Sequence, residues 1–154
     1  MNEQHSHSIQ RVGTGDVDDL LPLMRSYCDF YEVTPTDADL LAITAALIGD
    51  PEREGLQLIA RGAGGSATGF ATVYWSWSTT DGGRIGVMND LFVVESARGR
   101  GIADELIEAC RAESASHGAR QLVWQTAPDN LRAQRLYERV GATREQWIDY
   151  CLAC

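Results

Sequence analysis

Lysine is missing from this chain of 154 residues: all 13 of its basic side chains are arginine. Every cationic contact it makes is therefore a guanidinium, planar and permanently charged. Against these stand 22 acidic residues, for a formal charge of −9. That balance repels phosphate backbones and anionic lipid, which argues against nucleic-acid and membrane partners. Long apolar runs are absent too, so no transmembrane helix is expected. The residues from Met1 to Ser8 are polar and lack the apolar stretch of a secretory signal, so the expected compartment is the cytoplasm. Cysteine is sparse and scattered, at Cys28, Cys110, Cys151 and Cys154. A chain of this length buries roughly 70% of its unfolded surface and needs no disulfides. Cys151 and Cys154 have metal-ligand spacing but no second ligand pair, while His5 and His7 lie in the polar tail and His117 at a helix end. No metal is expected.

What remains is an ordinary globular composition, 44% hydrophobic and 23% charged. Its length suits one domain over residues 9–154, preceded by a flexible tail over 1–8. Ile9 to Val12 reads as a first strand. Asp16 caps a helix whose apolar positions are Val17, Leu20, Leu21, Met24 and Cys28. Thr36, Asp37 and Asp39 open a second helix with Leu40, Leu41, Thr44, Leu47 and Ile48 inward, stopped by Gly49-Asp50-Pro51. Strands follow at 56–60, 69–79 and 85–94. On the middle one Ala71, Val73, Trp75 and Trp77 share a face opposite Phe70, Thr72, Tyr74 and Ser76. A helix carries Ile102, Leu106, Ala109 and Cys110 on one side. Residues 121–126 form a strand, Pro128-Asp129 caps a helix ending at Gly141, and Trp147 to Ala153 closes the chain as a last strand. Helices interleaved with strands predict a three-layer α/β domain with a mixed sheet.

Charge is divided unevenly along this order. Residues 1–97 carry 5 arginines and 14 acids, while residues 98–144 carry 8 arginines and 6 acids. The boundary falls inside the segment running from Asp90 to Ala103, where a buried strand turns through Gly99 and Gly101 into a helix. Glycine lets the backbone approach a ligand closely, and the first amides of the helix have no partners within it. Together they make a site for phosphate or pyrophosphate, with Arg98 and Arg100 as charge-assisted donors. A Gly-x-Gly turn alone is also ordinary turn geometry. Without Gly-Lys-Ser/Thr it is no nucleotide P-loop, and without a third glycine it is no dinucleotide fingerprint.

The run Arg98-Gly99-Arg100-Gly101-Ile102-Ala103 resembles the signature of the GNAT superfamily of acetyl-CoA-dependent N-acetyltransferases. A second landmark follows in register, the family's Asn-x-x-Ala-x-x-Leu-Tyr-x-x-x-Gly helix, standing here as Asn130 to Gly141. The resemblance implies the GNAT fold, a three-layer α-β-α domain with a mixed, mostly antiparallel central sheet splayed at the cofactor strand. It implies acetyl-CoA as co-substrate, its pantetheine arm along Leu91, Phe92 and Val93. By the same resemblance, the amides of Gly99, Arg100, Gly101, Ile102, Ala103 and Asp104 are expected to hold the pyrophosphate, with Arg98 at the start of the turn. Asn130 corresponds to a pantetheine contact, and Tyr137 to the acid that protonates the departing thiolate. Direct attack without a covalent enzyme intermediate is expected.

Several small-amine members of the family carry Glu-Asp before the cofactor strand, where this chain has Asn89-Asp90. Asp90 is accordingly the candidate base, a substrate-cation ligand, or a group that fixes the strand. The acceptor side draws on Tyr27, Phe30, Tyr31, Glu32, Tyr74, Trp75, Trp77 and Trp147, of which Phe30, Tyr31, Glu32, Tyr74 and Trp75 form the candidate wall. Aromatic faces beside carboxylates suit a small cationic, polyamine-like amine. The alternatives are a protein or peptide amine, and a non-catalytic acyl-CoA-binding module. Dimers are common in the family, which leaves a homodimer open.

Overall fold

The computed structural model describes residues 7–154. Two compact units divide the chain, one ending at Trp124 and the other running from Gln125 to Cys154. The first holds a five-stranded sheet in the order β1 (Ser8–Arg11), β2 (Gly55–Arg61), β3 (Ala67–Ser78), β4 (Gly83–Val93), β5 (Leu122–Val123). The first three pairings are antiparallel and the last is parallel. Helices α1 (Val17–Phe30) and α2 (Asp37–Gly49) cover one face. Helix α3 (Ile102–Ser116) packs on β2, β3 and β4 from the other.

The alternation of β2 and β3 explains the two cores. Leu20, Leu23, Met24 and Cys28 of α1 and Leu40 of α2 bury against Ile59 and Phe70. Their strand neighbours on the opposite face, Leu58, Ala71 and Val73, are buried together with Ile102, Leu106 and Cys110 of α3. Trp75 lies on that second face, with its ring stacked on His117 at 4.2 Å and its indole N–H donated to the Pro51 carbonyl. Helix α2 opens on a capping box: Thr36 Oγ1 accepts from the Asp39 amide (3.1 Å) and Asp39 accepts from the Thr36 amide (2.8 Å).

Several sequence expectations change. The tail predicted over 1–8 falls outside the described residues as far as residue 6. Ser8 already belongs to β1, and His7 Nε2 lies 2.8 Å from Glu105 Oε1. Asp16 stands at the N-cap of α1, but its carboxylate turns back to the Gly13 amide (2.9 Å) and to Arg61 (2.8 Å). The strand expected over 121–126 shrinks to Leu122–Val123. In the second unit α4 (Leu131–Arg139) is capped by Asn130, not by Asp129. No strand forms over 147–153. Alternating apolar residues favour extended backbone, but a strand also needs a neighbour for its backbone groups. Trp147, Ile148, Tyr150 and Leu152 are exposed.

Gly55 opens β2 where no other residue fits. Its φ is +134°, and a Cβ there would stand 2.0 Å from the Val73 carbonyl oxygen. Replacing it with alanine is expected to cost more than about 2 kcal/mol, whereas Gly64→Ala, with open space around it, stays within about 0.5 kcal/mol. Chemical denaturation of the two variants checks the contrast.

Candidate active site

The site is organised by one irregularity in β4. Along β3 the partners run Thr72 with Asp90 and then Val73 with Met88, so Asn89 is an extra residue with no partner of its own. In a regular strand, residues 88 and 90 would share a face. The bulge breaks that parity. Met88 falls on the α3 side with Val73, and Asp90 falls on the α1 side beside Thr72. Beyond the bulge, Phe92 pairs with Phe70 on the α1 side, and Leu91 and Val93 take the other face.

Asp90 is thereby carried under α1. The Asn89 side-chain amide donates to it (3.0 Å), and the Thr72 and Tyr27 hydroxyls stand beside the same carboxyl, Thr72 as its register partner across the strands. The Tyr27 hydroxyl donates its one proton to the Asn89 carbonyl oxygen (3.3 Å), which fastens the bulge to α1. Burial pushes the Asp90 carboxyl above the usual carboxylate range, and the polar groups of Thr72, Asn89 and Tyr27 oppose that shift without cancelling it. The same burial raises the Tyr27 phenol, and the Tyr74 phenol rises to about 12 for the same reason, with Asp90 adding to both.

Tyr27 continues into an aromatic chain. Its ring meets Phe70, Phe92 and Tyr31 edge-on, and Tyr31 meets Phe30. The chain runs from the buried Phe70 out to Phe30, which is 58% exposed. Glu32, next along, has φ +55°, the left-handed position of a helix C-terminus closed by Glu32 N–H to Asp29 and Val33 N–H to Cys28. Glycine is the usual occupant there, so a glutamate carries a strain of roughly 1 kcal/mol. Asp90, Tyr74, Phe30, Tyr31 and Glu32 thus belong to the α1 side of the sheet or to the end of α1. Trp75 does not join them, because it faces α3.

The predicted anion turn forms at the end of β4. A short 3-10 turn over Glu95–Ala97 leads to Arg98 in extended backbone, then Gly99 at φ +76° and Gly101 at φ +82°. Arg98 donates its Nε–H to the Val93 carbonyl (2.9 Å) and lies over the Phe92 ring, which pins the turn to the strand. Gly101 is the N-cap of α3 and supplies no capping side chain. A Cβ at Gly99 or Gly101 would meet nothing within 4 Å, so the turn presents open space before the first amides of the helix. Beside it, β4 pairs with β5 only at Gly86 and Val87, so from Met88 onward no strand among the described residues pairs on that side. In the second unit, Asn130 Oδ1 accepts from the Ala133 amide (3.1 Å), and Tyr137 is half-buried on α4.

A splayed mixed sheet, a bulged central strand and a glycine turn feeding a helix define an acyl-CoA transferase architecture, and sequence comparison agrees. A model of the acetyltransferase (GNAT) family matches residues 20–142. An uncharacterised N-acetyltransferase of Bacillus subtilis strain 168, YhfO, is 31% identical over 146 residues, covering 94% of this chain and 96% of the relative. The D-amino-acid N-acetyltransferase HPA3 of Saccharomyces cerevisiae is 36% identical over 80 residues, 50% of this chain and 48% of that protein. A solved structure of a probable acetyltransferase superposes with a TM-score of 0.83 at 25% identity, covering 96% of this chain and 97% of the other. The chain belongs to the GNAT family of acetyltransferases. It is an acetyl-CoA-dependent N-acetyltransferase.

Sequence reasoning named Asp90 and Tyr27 but not that the fold sets them side by side, and it gave Thr72 no part in the site. The signal it lacked was register, since the bulge alone decides that Asp90 and Thr72 meet. An ionised Asp90 costs the fold stability, because its folded pKa lies above the unfolded value of about 4. That cost is absent below the unfolded value and complete above the folded one. Asp90→Asn is therefore expected to raise the thermal midpoint near neutral pH, with a gain that vanishes toward pH 4. Melting curves of both proteins across this range check it, and a gain that grew toward acid would contradict it.

Proposed function

We propose that the enzyme acetylates a small cationic amine by direct attack, with Asp90 accepting the proton that the amine must lose. Near neutral pH such an amine is mostly ammonium, so an acceptor for that proton is needed before attack. The observation that carries this reading is Asp90 itself, a half-buried carboxylate at the foot of an aromatic chain, with its pKa raised by that burial. Phe30, Tyr31 and Tyr74 offer ring faces to a cation and Glu32 offers a charge. The name of the yeast relative, a D-amino-acid N-acetyltransferase, is in keeping with a small acceptor.

On the acyl side, the backbone of Leu91, Phe92 and Val93 is assigned to the pantetheine arm, and an N–H of the Leu91–Phe92 region to the thioester carbonyl. The amides from Gly99 to Asp104, with Arg98 and Arg100, are assigned to the pyrophosphate. Asn130 keeps the assignment of a pantetheine contact in addition to its cap. Tyr137 is assigned the proton that the departing thiolate needs.

Turnover of acetyl-CoA across a panel of amines and peptides tests the acceptor. Polyamine-like amines are expected to be the best substrates. Faster transfer to peptide amines would replace this reading with the protein-acceptor one, and CoA binding without transfer to any amine would overturn it. Tyr137→Phe is expected to lower kcat by about 100-fold with little change in acetyl-CoA affinity. Unchanged turnover in that variant at saturating amine would remove Tyr137 from the acid role.

A further inference from the structure

The α1 side of the sheet carries a polar line through an otherwise apolar layer. Gln57 of β2 is the register partner of Thr72 of β3, and Thr72 is the register partner of Asp90 of β4. The three stand side by side across adjacent strands, and Thr44 of α2 continues the line beyond Gln57. Thr44 and Gln57 are 2% exposed and Thr72 is fully enclosed, so these are three of the four buried polar residues among those described. Burying polar groups without partners is costly, and here each finds one in the next.

The line has a direction. Thr44 Oγ1 donates to Gln57 Oε1 (2.8 Å), and Gln57 Nε2 donates to Thr72 Oγ1 (3.2 Å). Met24 Sδ lies 3.8 Å from Gln57 Nε2 and 3.6 Å from Thr44 Oγ1, a weaker acceptor beside the chain. As placed, Thr72 Oγ1 receives a hydrogen bond from Gln57, and its own single proton is left to turn toward Asp90, its register partner on the same face of the sheet. Each donor polarises the next, which strengthens the last bond of the chain.

We propose that Thr44, Gln57 and Thr72 form a one-way hydrogen-bond relay, in which Gln57 and Thr72 are positioning residues that aim a donor at Asp90 and hold its carboxylate form. The functional meaning of the relay rests on the reading of Asp90 as the proton acceptor. The relay reaches Asp90 from the sheet interior, while Tyr27 and Asn89 reach it from α1 and from the bulge. The carboxylate is thus fixed from two sides, with its remaining lone pairs available to an amine.

The titratable groups facing Asp90 are Tyr27 and Cys28 from α1 and Tyr74 from β3. Burial raises all three, so they stay neutral through the acid range. Gln57, Thr44 and Asn89 carry no charge. A titration seen here in that range belongs to Asp90.

The test is the carbon-13 titration of the Asp90 carboxyl by NMR in the full chain, set beside the acid limb of kcat/KM. Thr72→Val keeps the shape and removes the donor, and the Asp90 midpoint is expected to rise by about one pH unit, tenfold in the protonation equilibrium. Thr72→Ser restores it. Gln57→Met removes the aim but leaves the hydroxyl, giving a smaller rise of the same sign, and it decides the matter if Thr72→Val does not fold. A folded Thr72→Val or Gln57→Met protein with an unmoved Asp90 midpoint overturns the relay, even if stability falls. If the midpoint moves and the kinetic limb moves with it, relay and proton-acceptor role both stand. If the midpoint moves while the limb stays, the relay stands and Asp90 is not the proton acceptor.

Discussion

One extra residue in β4 is the constraint on which the site depends. A strand alternates its side chains strictly, so a carboxylate and a buried methionine two positions apart belong on the same face. Asn89 breaks the count, and the strand before it faces α3 while Asp90 beyond it faces α1. Without the bulge Asp90 would point into the Leu106–Ile102 core, where nothing could satisfy it. With the bulge it meets Thr72, Tyr27 and Asn89.

The rest of the α1 side is arranged to shield that half-buried carboxylate in part from water. Tyr27 fastens the bulge to α1 through its hydroxyl and packs its ring on Phe70 and Phe92. Desolvation then outweighs the hydrogen bonds, and the group rests above its ordinary range. The strand also parts from β5 after Val87 and ends in the turn pinned by Arg98, so the edge near the bulge and the open helix start belong to the same stretch of chain. The strained Glu32 closes α1 next to the exposed end of the aromatic chain. Strain of this kind persists where surrounding structure holds it, and it clusters at ligand sites.

Much of this was legible in the sequence. Helical faces, the face division of β3 and the glycine turn follow from local periodicity and from backbone chemistry, and the family resemblance rests on residues that stand next to one another in the chain. Pairing was not legible. The bulge shows only once β4 lies against β3, and Gln57 and Thr72 look like stray polar residues in apolar strands until the register sets them side by side. The last strand failed for the same reason, since the alternation of residues 147–153 says nothing about a partner. The acidic first half also means less than its sum suggests. Asp16 and Asp19 are taken up by Arg61, Asp37 by Arg25 and Asp39 by the α2 cap, so these four carboxylates add nothing to the argument for a cationic acceptor.

The central claim is that a desolvated Asp90 takes the proton of the attacking amine. The most direct measurement is the pH dependence of kcat/KM for the native enzyme and for Asp90→Asn with the best amine of the panel. The account predicts an acid limb in the native enzyme above the ordinary carboxylate range, and in the variant a much lower rate that lacks this limb. An acid limb of the same position and a comparable rate in the Asp90→Asn enzyme would contradict it.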